Sequence, residues 1–585
     1  MATRNLLLGG GEKLAGRATI VRGGGDKKMP YSLDEVRQAL AEPIAHVHAE
    51  LRRTSAKAKP RGEGVFEVTL HPSFLARTYY PSNLFTATGL RDVGSRERTV
   101  IPRTASEKRL EGKPHATASL FVAGDEADIE RLAAFLAQSA PPPAIGRQLL
   151  EIESISWVDG EDKLRGELPG DESVHAFEVA LHAGAQEEDI VIAFHRFAMS
   201  FGAEVDLKRR IRVGGLTFLP VMATSEQIGL LSEFTFLRVV RVMPAIRVAV
   251  PNMVRQTIAN SSFALPTQGP IHPTDRIAVF DGGLGTTDLS MWATEFVYPE
   301  TSETAGKLLM HGSEVTSTLL FGRPQGAAVG PRPYMGVDHF RVLAPSSGKD
   351  PDLFDVLLRI KGVLESGKYR FANLSLGPNM PISDDEVHAW TATLDQLCAN
   401  FEILATVAVG NDGEAEGADR IQPPGDMVNA LAIGAANSAT MKWKRAPYSC
   451  VGPGRSPGFV KPDGVAFGGC DGELFDVYSP LLGSVVGVAG TSYAAPLAMR
   501  TAAGLAAATT FELPSIALKA LLIHHAEPGK RLARSEVGWG RFRENSLELL
   551  ECGADSVTVI FKAALAKGEY RRCPIPFPDV LLGGK

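Results

Sequence analysis

Gly490-Thr491-Ser492-Tyr493-Ala494-Ala495-Pro496 decides how this chain is read, and it follows directly on the apolar run Val485–Ala489. An apolar run, a tight Gly-Thr turn and a string of small residues describe a strand passing into a buried helix. A serine at that junction presents its hydroxyl where the helix dipole and free N–H groups favour developing negative charge. Pro496 falls near the helix start, where a missing N–H is least costly. A helix capped by Ser492 and packed through Ala494 and Ala495 explains the small residues but not the whole string.

Three more short stretches stand out upstream. Ile277-Ala278-Val279-Phe280-Asp281-Gly282-Gly283 puts an aspartate on the end of an apolar strand, and His311-Gly312-Ser313-Glu314-Val315 leads into a helix. Val407-Ala408-Val409-Gly410-Asn411-Asp412-Gly413 puts an asparagine in the turn after another strand. Singly, His311 reads as a cap or packed residue and Asn411 as a turn former. Together they supply the parts of an acyl-transfer site: a hydroxyl nucleophile, a histidine base, a carboxylate to orient it and a donor for the oxyanion. Asp281, His311 and Ser492 also follow the chain order Asp…His…Ser, which separates subtilisin from chymotrypsin and the α/β-hydrolases. The surrounding texture agrees. From Arg276 onward, apolar runs (Ile277–Phe280, Arg341–Leu343, Phe371–Leu376, Ile403–Val409, Ala430–Gly434) alternate with helical stretches. That pattern predicts a doubly wound, mostly parallel α/β sheet with functional residues just past the carboxyl ends of strands.

Residues 251–547 resemble the subtilisin-like serine peptidases, the subtilases. Asp281, His311-Gly312, Asn411 and Ser492 match the family's aspartate, histidine, oxyanion and nucleophile blocks. Asn373-Leu374-Ser375-Leu376-Gly377 resembles the strand lining its substrate cleft, and Val537–Phe542 the turn closing its catalytic domain. The resemblance implies a serine endopeptidase with catalytic Asp281, His311 and Ser492 and an oxyanion hole at Asn411. Substrate would lie along Ser375, Leu376 and Gly377 on one side and Ala408 and Gly410 on the other, pairing as an added strand. No cofactor is required. Two departures stand out: Gly282 replaces the usual Ser or Thr after the aspartate, and Glu314 stands where many members have a second histidine. Tuned rather than abolished activity is expected. A catalytically weak subtilase acting as a regulatory scaffold or sensor is the alternative. Phe280–Leu289 also resembles the phosphate loop of actin-like ATPases. That fold needs an earlier Asp-Gly loop, which is lacking, and leaves His311, Asn411 and Ser492 unexplained.

The other residues are read as follows. Residues 1–63 form a flexible, partly helical segment, with a capping box at Ser32 and Glu35 opening a helix to Arg53. The glycine triplets Gly9–Gly11 and Gly23–Gly25 lack the Gly-Lys-Ser/Thr of a phosphate loop and read as tail. Thr54–Gly64 reads as a linker. Residues 64–160 are an α+β block, and 174–248 follow the order βαββαβ, with Glu204–Val213 and Leu216–Met222 paired around Gly214-Gly215. The second block resembles the ferredoxin-like propeptide that precedes many subtilase domains, and the first reads as a degenerate copy. An inhibitor or chaperone with self-cleavage near 245–262 and a permanently attached packing domain are both open. Residues 548–585 read as the start of a C-terminal β region, as though the natural chain were longer.

Composition sets the outer bounds. Lys and Arg total 61 against 67 Asp and Glu, a net charge of −6 that carries no nucleic-acid footprint. Five cysteines (Cys398, Cys450, Cys470, Cys552, Cys573) make no disulfide framework. No apolar run spans a membrane and no signal-peptide core opens the chain, so a cytoplasmic location is expected. The partners expected are a protein or peptide substrate, without nucleic acid or membrane. Asn5-Leu6-Leu7-Leu8-Gly9-Gly10-Gly11-Glu12 and the long extension resemble bacterial cytosolic subtilases paired with an AAA-type ATPase in phage defence. The acidic loop Asp412, Glu414, Glu416 and Asp419 reads as solvated, with calcium binding or a preference for basic substrates as its alternatives. His524-His525 reads as surface and cap rather than a metal site.

Overall fold

The structure, a computed structural model, describes residues 5–19, 28–76, 79–104, 112–247, 256–257, 263–345, 352–529, 531–553, 556–566 and 569–574. Its first layer is built on α1 (Leu33–Arg53). The capping box is present: Ser32 Oγ accepts the Glu35 N–H and Glu35 accepts the Ser32 N–H at 2.7 Å. Val36, Leu40, Ile44, Val47 and Leu51 recur at helical spacing and are buried together against the first sheet. The segment 1–63 is therefore not a loose tail over its helix. Thr54–Gly64 is no free linker either: Ala58 is buried and its carbonyl accepts the Thr235 N–H at 2.9 Å. Gly9–Gly11 are also held, with the Gly11 N–H donating to the Ile560 carbonyl at 2.9 Å, whereas Gly23–Gly25 lie outside the described residues.

The first sheet comprises β1 (Gly64–Leu70), β2 (Arg91–Val100), β3 (His115–Gly124) and, after α2 (Glu126–Ala137), β4 (Ile152–Trp157). All its pairings are antiparallel, in the order β2-β3-β1-β4. The second sheet comprises β5 (His175–Leu181), β6 (Ile211–Val213), β7 (Leu216–Ala223) and β8 (Leu237–Val242), with α3 (Glu188–Met199) and α4 (Ser225–Leu231) between strands. These four run in the order β6-β7-β5-β8, the same as in the first sheet, and Leu164–Arg165 adds a further strand in parallel beyond β8. The strand expected over Glu204–Val213 is broken. Asp206 accepts the Lys208 N–H and turns Leu207–Arg209 into a 3₁₀ segment, so Glu204–Val205 and Ile211–Val213 pair separately with β7.

A seven-stranded parallel sheet organises the C-terminal half. Its strands are β10 (His272–Asp281), β11 (Ala293–Val297), β12 (Met335–Arg341), β13 (Phe371–Leu374), β15 (Leu404–Ala408), β16 (Leu431–Ala436) and β17 (Gly464–Phe467), in the order β11-β12-β10-β13-β15-β16-β17. Helices α5 (Gly306–Phe321) and α8 (Thr491–Ala508) take part in one buried cluster, while α6 (Asp352–Leu364) and α7 (Ala389–Asn400) take part in another. The run Arg341–Leu343, expected as a strand, lies at and beyond the end of β12. Asp338 and His339 interrupt the apolar pattern of that strand, yet both are buried and bonded, Asp338 to the Tyr369 hydroxyl at 2.6 Å.

The N-terminal sheets and this domain are packed together. Ala180, Phe218 and Val239 from the second sheet share a buried cluster with Phe354 and Leu357 of α6 and Leu394 and Leu397 of α7. Charged groups close the rim. Arg238 donates to Glu386 at 2.7 Å, Arg165 to Asp385 at 2.7 Å, and Arg241 to the Val387 carbonyl at 2.9 Å. Glu178 lies 3.2 Å from His388, and burial pushes its carboxyl up and the imidazole well down. From β8 the chain runs into β9 (Ile246–Arg247), which pairs antiparallel with β14 (Gly377–Pro378).

Candidate active site

Asp281 and Asn411 stand at the carboxyl ends of parallel strands; His311 contacts Asp281, Asn411 contacts Thr491 and Ser375 contacts Ser492. Asp281 is the last residue of β10 and fully buried. Its Oδ1 accepts the Gly282 N–H at 2.7 Å and faces His311 Nδ1 at 2.9 Å. An imidazole that donates from Nδ1 keeps its lone pair on Nε2. His311 stands in the second turn of α5, not at the helix start, because the helix begins at Gly306. The glycines explain how the helix comes so close to the strand. A Cβ on Gly312 would lie 2.4 Å from the Gly283 carbonyl, and one on Gly282 would lie 2.5 Å from Leu308 Cβ. Gly282, the departure after the aspartate, is therefore a packing requirement.

Ser492 is the second residue of α8. Pro496 lies in the helix interior, six residues in, where its missing N–H cannot bond the Ser492 carbonyl. That carbonyl instead accepts the Ser375 hydroxyl at 3.0 Å, and Ser492 Oγ lies 3.4 Å from the Ser375 carbonyl as donor. Ser375 is in turn held by Asn373 Nδ2 at 3.1 Å, and Asn373 by Thr406 at 3.0 Å. Helices α5 and α8 also meet through Tyr493, whose hydroxyl donates to Glu314 at 3.0 Å and whose ring lies 6.2 Å from that of His311. Glu314 thus occupies a buried structural position.

Asn411 follows β15 by three residues. Its Oδ1 accepts both the Thr491 N–H at 3.0 Å and the Thr491 hydroxyl at 2.8 Å. A backbone N–H can only donate, so the facing atom is the oxygen and Nδ2 is turned the other way. The amide nitrogen therefore faces away from Thr491, the residue before Ser492.

Of the expected cleft residues, Ser375 and Gly377 line the path of β9, while Leu376 points into the apolar cluster shared with the second sheet. Ala408 and Gly410 do face it: the Ala408 carbonyl accepts Arg247 Nη2 at 2.9 Å, and a Cβ on Gly410 would lie 2.9 Å from Arg247 Nη1. Sequence reasoning missed His339. Its Nε2 accepts the Gly283 N–H at 3.1 Å, so Nδ1 carries the hydrogen to Thr316 at 2.9 Å. Burial holds this imidazole down to about 4, and it braces the turn after Asp281 as a neutral ring. The only signal available was a histidine interrupting an otherwise apolar strand. Among the described residues, no group of three or more His, Cys, Asp or Glu side chains could hold a metal ion. None of their helices is long and apolar enough to cross a membrane.

Comparison with known proteins follows the same half of the chain. No curated protein matches it. Among solved structures, the patellamide maturation protease PatA is 21% identical, covering 48% of this chain and 98% of its own at a TM-score of 0.36. The epidermin leader peptide processing serine protease (EpiP) of Staphylococcus aureus is 16% identical, covering 64% and 98% at 0.44. Fervidolysin from Fervidobacterium pennivorans, a keratinolytic enzyme related to subtilisin, is 15% identical, covering 65% and 62% at 0.46. Residues 278–540, from within β10 to the turn at Gly540, match the Subtilase family and constitute a subtilase-family domain of this chain.

Proposed function

We propose that the chain is a serine endopeptidase that uses Asp281, His311 and Ser492 and is restrained by its own N-terminal region. The observation that carries this reading is the buried 2.9 Å contact between His311 Nδ1 and Asp281, in a domain where Asn411 Oδ1 is bonded to Thr491, the neighbour of Ser492. In that mechanism Ser492 Oγ attacks the scissile carbonyl carbon while His311 Nε2 takes its proton. The proton passes to the leaving amine as the C–N bond breaks, and water then hydrolyses the acyl-enzyme by the same route. Asp281 holds the imidazole tautomer and stabilises its charged form. Asn411 Nδ2 and the Ser492 N–H receive the oxyanion, each such donor worth about 3 kcal/mol of barrier.

Restraint rests on the cleft itself being filled: Arg247 pairs with Gly377 and donates to the Ala408 carbonyl at 2.9 Å. The second N-terminal sheet, with the βαββαβ order of a ferredoxin-like propeptide, packs on α6 and α7 and delivers β9 to the cleft strand. The same strand order in the first sheet supports its reading as a second copy. Most of 245–262, the stretch where self-cleavage is left open, lies outside the described residues. A cytoplasmic setting enters this proposal on the sequence reading, and an AAA-type ATPase partner on the resemblance of Asn5–Glu12 and the long N-terminal extension. The test is a Ser492→Ala chain beside the unaltered one. The substitution should abolish both labelling by a serine-directed fluorophosphonate and hydrolysis of casein; undiminished labelling rules the assignment out.

A further inference from the structure

Arg247 holds the most specific contact between the N-terminal region and the cleft. Its backbone pairs with Gly377, and its side chain enters a pocket behind Gly410, where the residue is 7% exposed. Nη1 donates to Gln422 Oε1 at 2.7 Å and Nη2 to the Ala408 carbonyl at 2.9 Å. Gln422 is itself fixed: its Nε2 donates to Asp412 at 2.6 Å and to Asn379 at 3.1 Å, so its oxygen can only face the guanidinium. Asp412 therefore lends negative charge through one intervening amide. Burial lowers the guanidinium to about 10, which leaves it charged at neutral pH. Cys450, whose Sγ would lie 2.8 Å from a Cβ on Gly410, is pushed up to about 11 by burial and stays a neutral thiol.

The pocket adjoins the chemistry on both walls. Ser375, two residues before Gly377, is bonded to Ser492, and Asn411 directly follows Gly410. Arg247 is paired with Gly377 and so stands on the acyl side of the cleft, two residues back along the antiparallel pairing from the level of Ser375, which touches Ser492. We infer that this pocket selects arginine two residues before the one whose carbonyl is attacked, and that Arg247 occupies it as the chain's own substrate-like residue. The inference rests on the peptidase reading above. Two acceptors, one for each terminal nitrogen, suit the planar fork of arginine, whereas a lysine ammonium is a compact point charge on a shorter side chain. A leucine or phenylalanine would leave Gln422 Oε1 and the Ala408 carbonyl buried without a donor.

The experiment uses the full chain and its Arg247→Glu variant, which cannot hold the pocket and should clear the cleft. Both are incubated with casein and with peptides differing only in arginine, lysine, leucine or phenylalanine at the tested position, and cut sites are mapped by mass spectrometry. Fluorophosphonate labelling is measured in parallel. Cleavage of the arginine peptide should exceed that of the lysine peptide about 10-fold and that of the leucine or phenylalanine peptides about 100-fold, as expected for a charged group losing its two acceptors. Gln422→Leu should lower the arginine-to-leucine ratio about 10-fold. A chain or variant that labels and cuts casein without preferring arginine overturns this inference and leaves the peptidase reading standing. Neither labelling nor cleavage by either protein overturns both.

Discussion

Arg238 offers the clearest way to test how the N-terminal region is held. Its Nε donates to Glu386 at 2.7 Å, its Nη2 to the Ser95 carbonyl at 3.0 Å, and its guanidinium lies 4.8 Å from the Phe121 ring centroid. Arg238→Met keeps most of the volume and removes the charge. The Glu386 side chain, 0% exposed, is then left with Arg96 at 4.0 Å. Breaking a buried ion pair from one side costs about 3–5 kcal/mol, and the attraction of Arg96 places this case near the lower figure. A loss of about 3 kcal/mol in docking raises the open fraction about 150-fold. The rate at which a fluorophosphonate labels Ser492 reads that fraction directly. Pairing the change with Glu386→Leu removes both charges and should return the rate to within about 10-fold of the unaltered chain, because an apolar pair replaces a buried ionic one at little cost. Labelling of Arg238→Met within twofold of the unaltered chain, in a protein whose melting temperature has fallen, would refute the idea that this docking limits access.

Four further outcomes follow from the site. Asn411→Ala should lower kcat by about 10²–10³ with little change in KM. Thr491→Val keeps the backbone donor to Asn411 but loses the hydroxyl, and should cost about 10-fold in kcat in the same assay. Gly312→Ala forces a Cβ to within 2.4 Å of the Gly283 carbonyl, so α5 must shift. The chain should lose about 1–3 kcal/mol in urea unfolding and most of its peptidase activity, since His311 moves with the helix. His339 is held near 4 in the fold against 6.5 in an unfolded chain, so the unfolded state binds the extra proton between those values. Stability should therefore fall as pH drops from about 6.5 to 4, by up to about 3 kcal/mol, seen as a declining urea midpoint that His339→Gln flattens.

The parallel sheet and the strand-end residues were legible because burial on both faces writes a strand as an apolar run, and Asp281 and Asn411 stand where such runs stop. What escaped has a common physical cause: polar groups whose partners are distant in sequence look solvent-facing until the fold supplies them. Asp338 and His339 hid β12 in this way, so the strand was placed at Arg341–Leu343. Arg238 and Arg241 read as solvent-facing charges in β8, yet both are buried and bonded to Glu386 and Val387 of the C-terminal domain. Pro496 read as a first-turn proline from position alone. Its interior place became meaningful only once the Ser375 hydroxyl was found on the carbonyl it leaves open. Arg247 carried no local signal, since its pocket is assembled from Ala408, Gly410 and Gln422, far along the chain.

The antiparallel pairing of Ile246–Arg247 with Gly377–Pro378 is made within one continuous chain, and continuity alters how such a contact responds to dilution. A segment tethered by a short connection behaves as a ligand present at about millimolar concentration, whatever the concentration of the protein. While the chain is whole, thinning the solution does not empty the cleft, and a free peptide must compete against that fixed local dose. One hydrolysed bond beyond Arg247 changes the order of the equilibrium. The same contact becomes a two-body association whose occupancy falls with every dilution. A single cut would therefore turn a lock indifferent to how much protein is present into one that senses it.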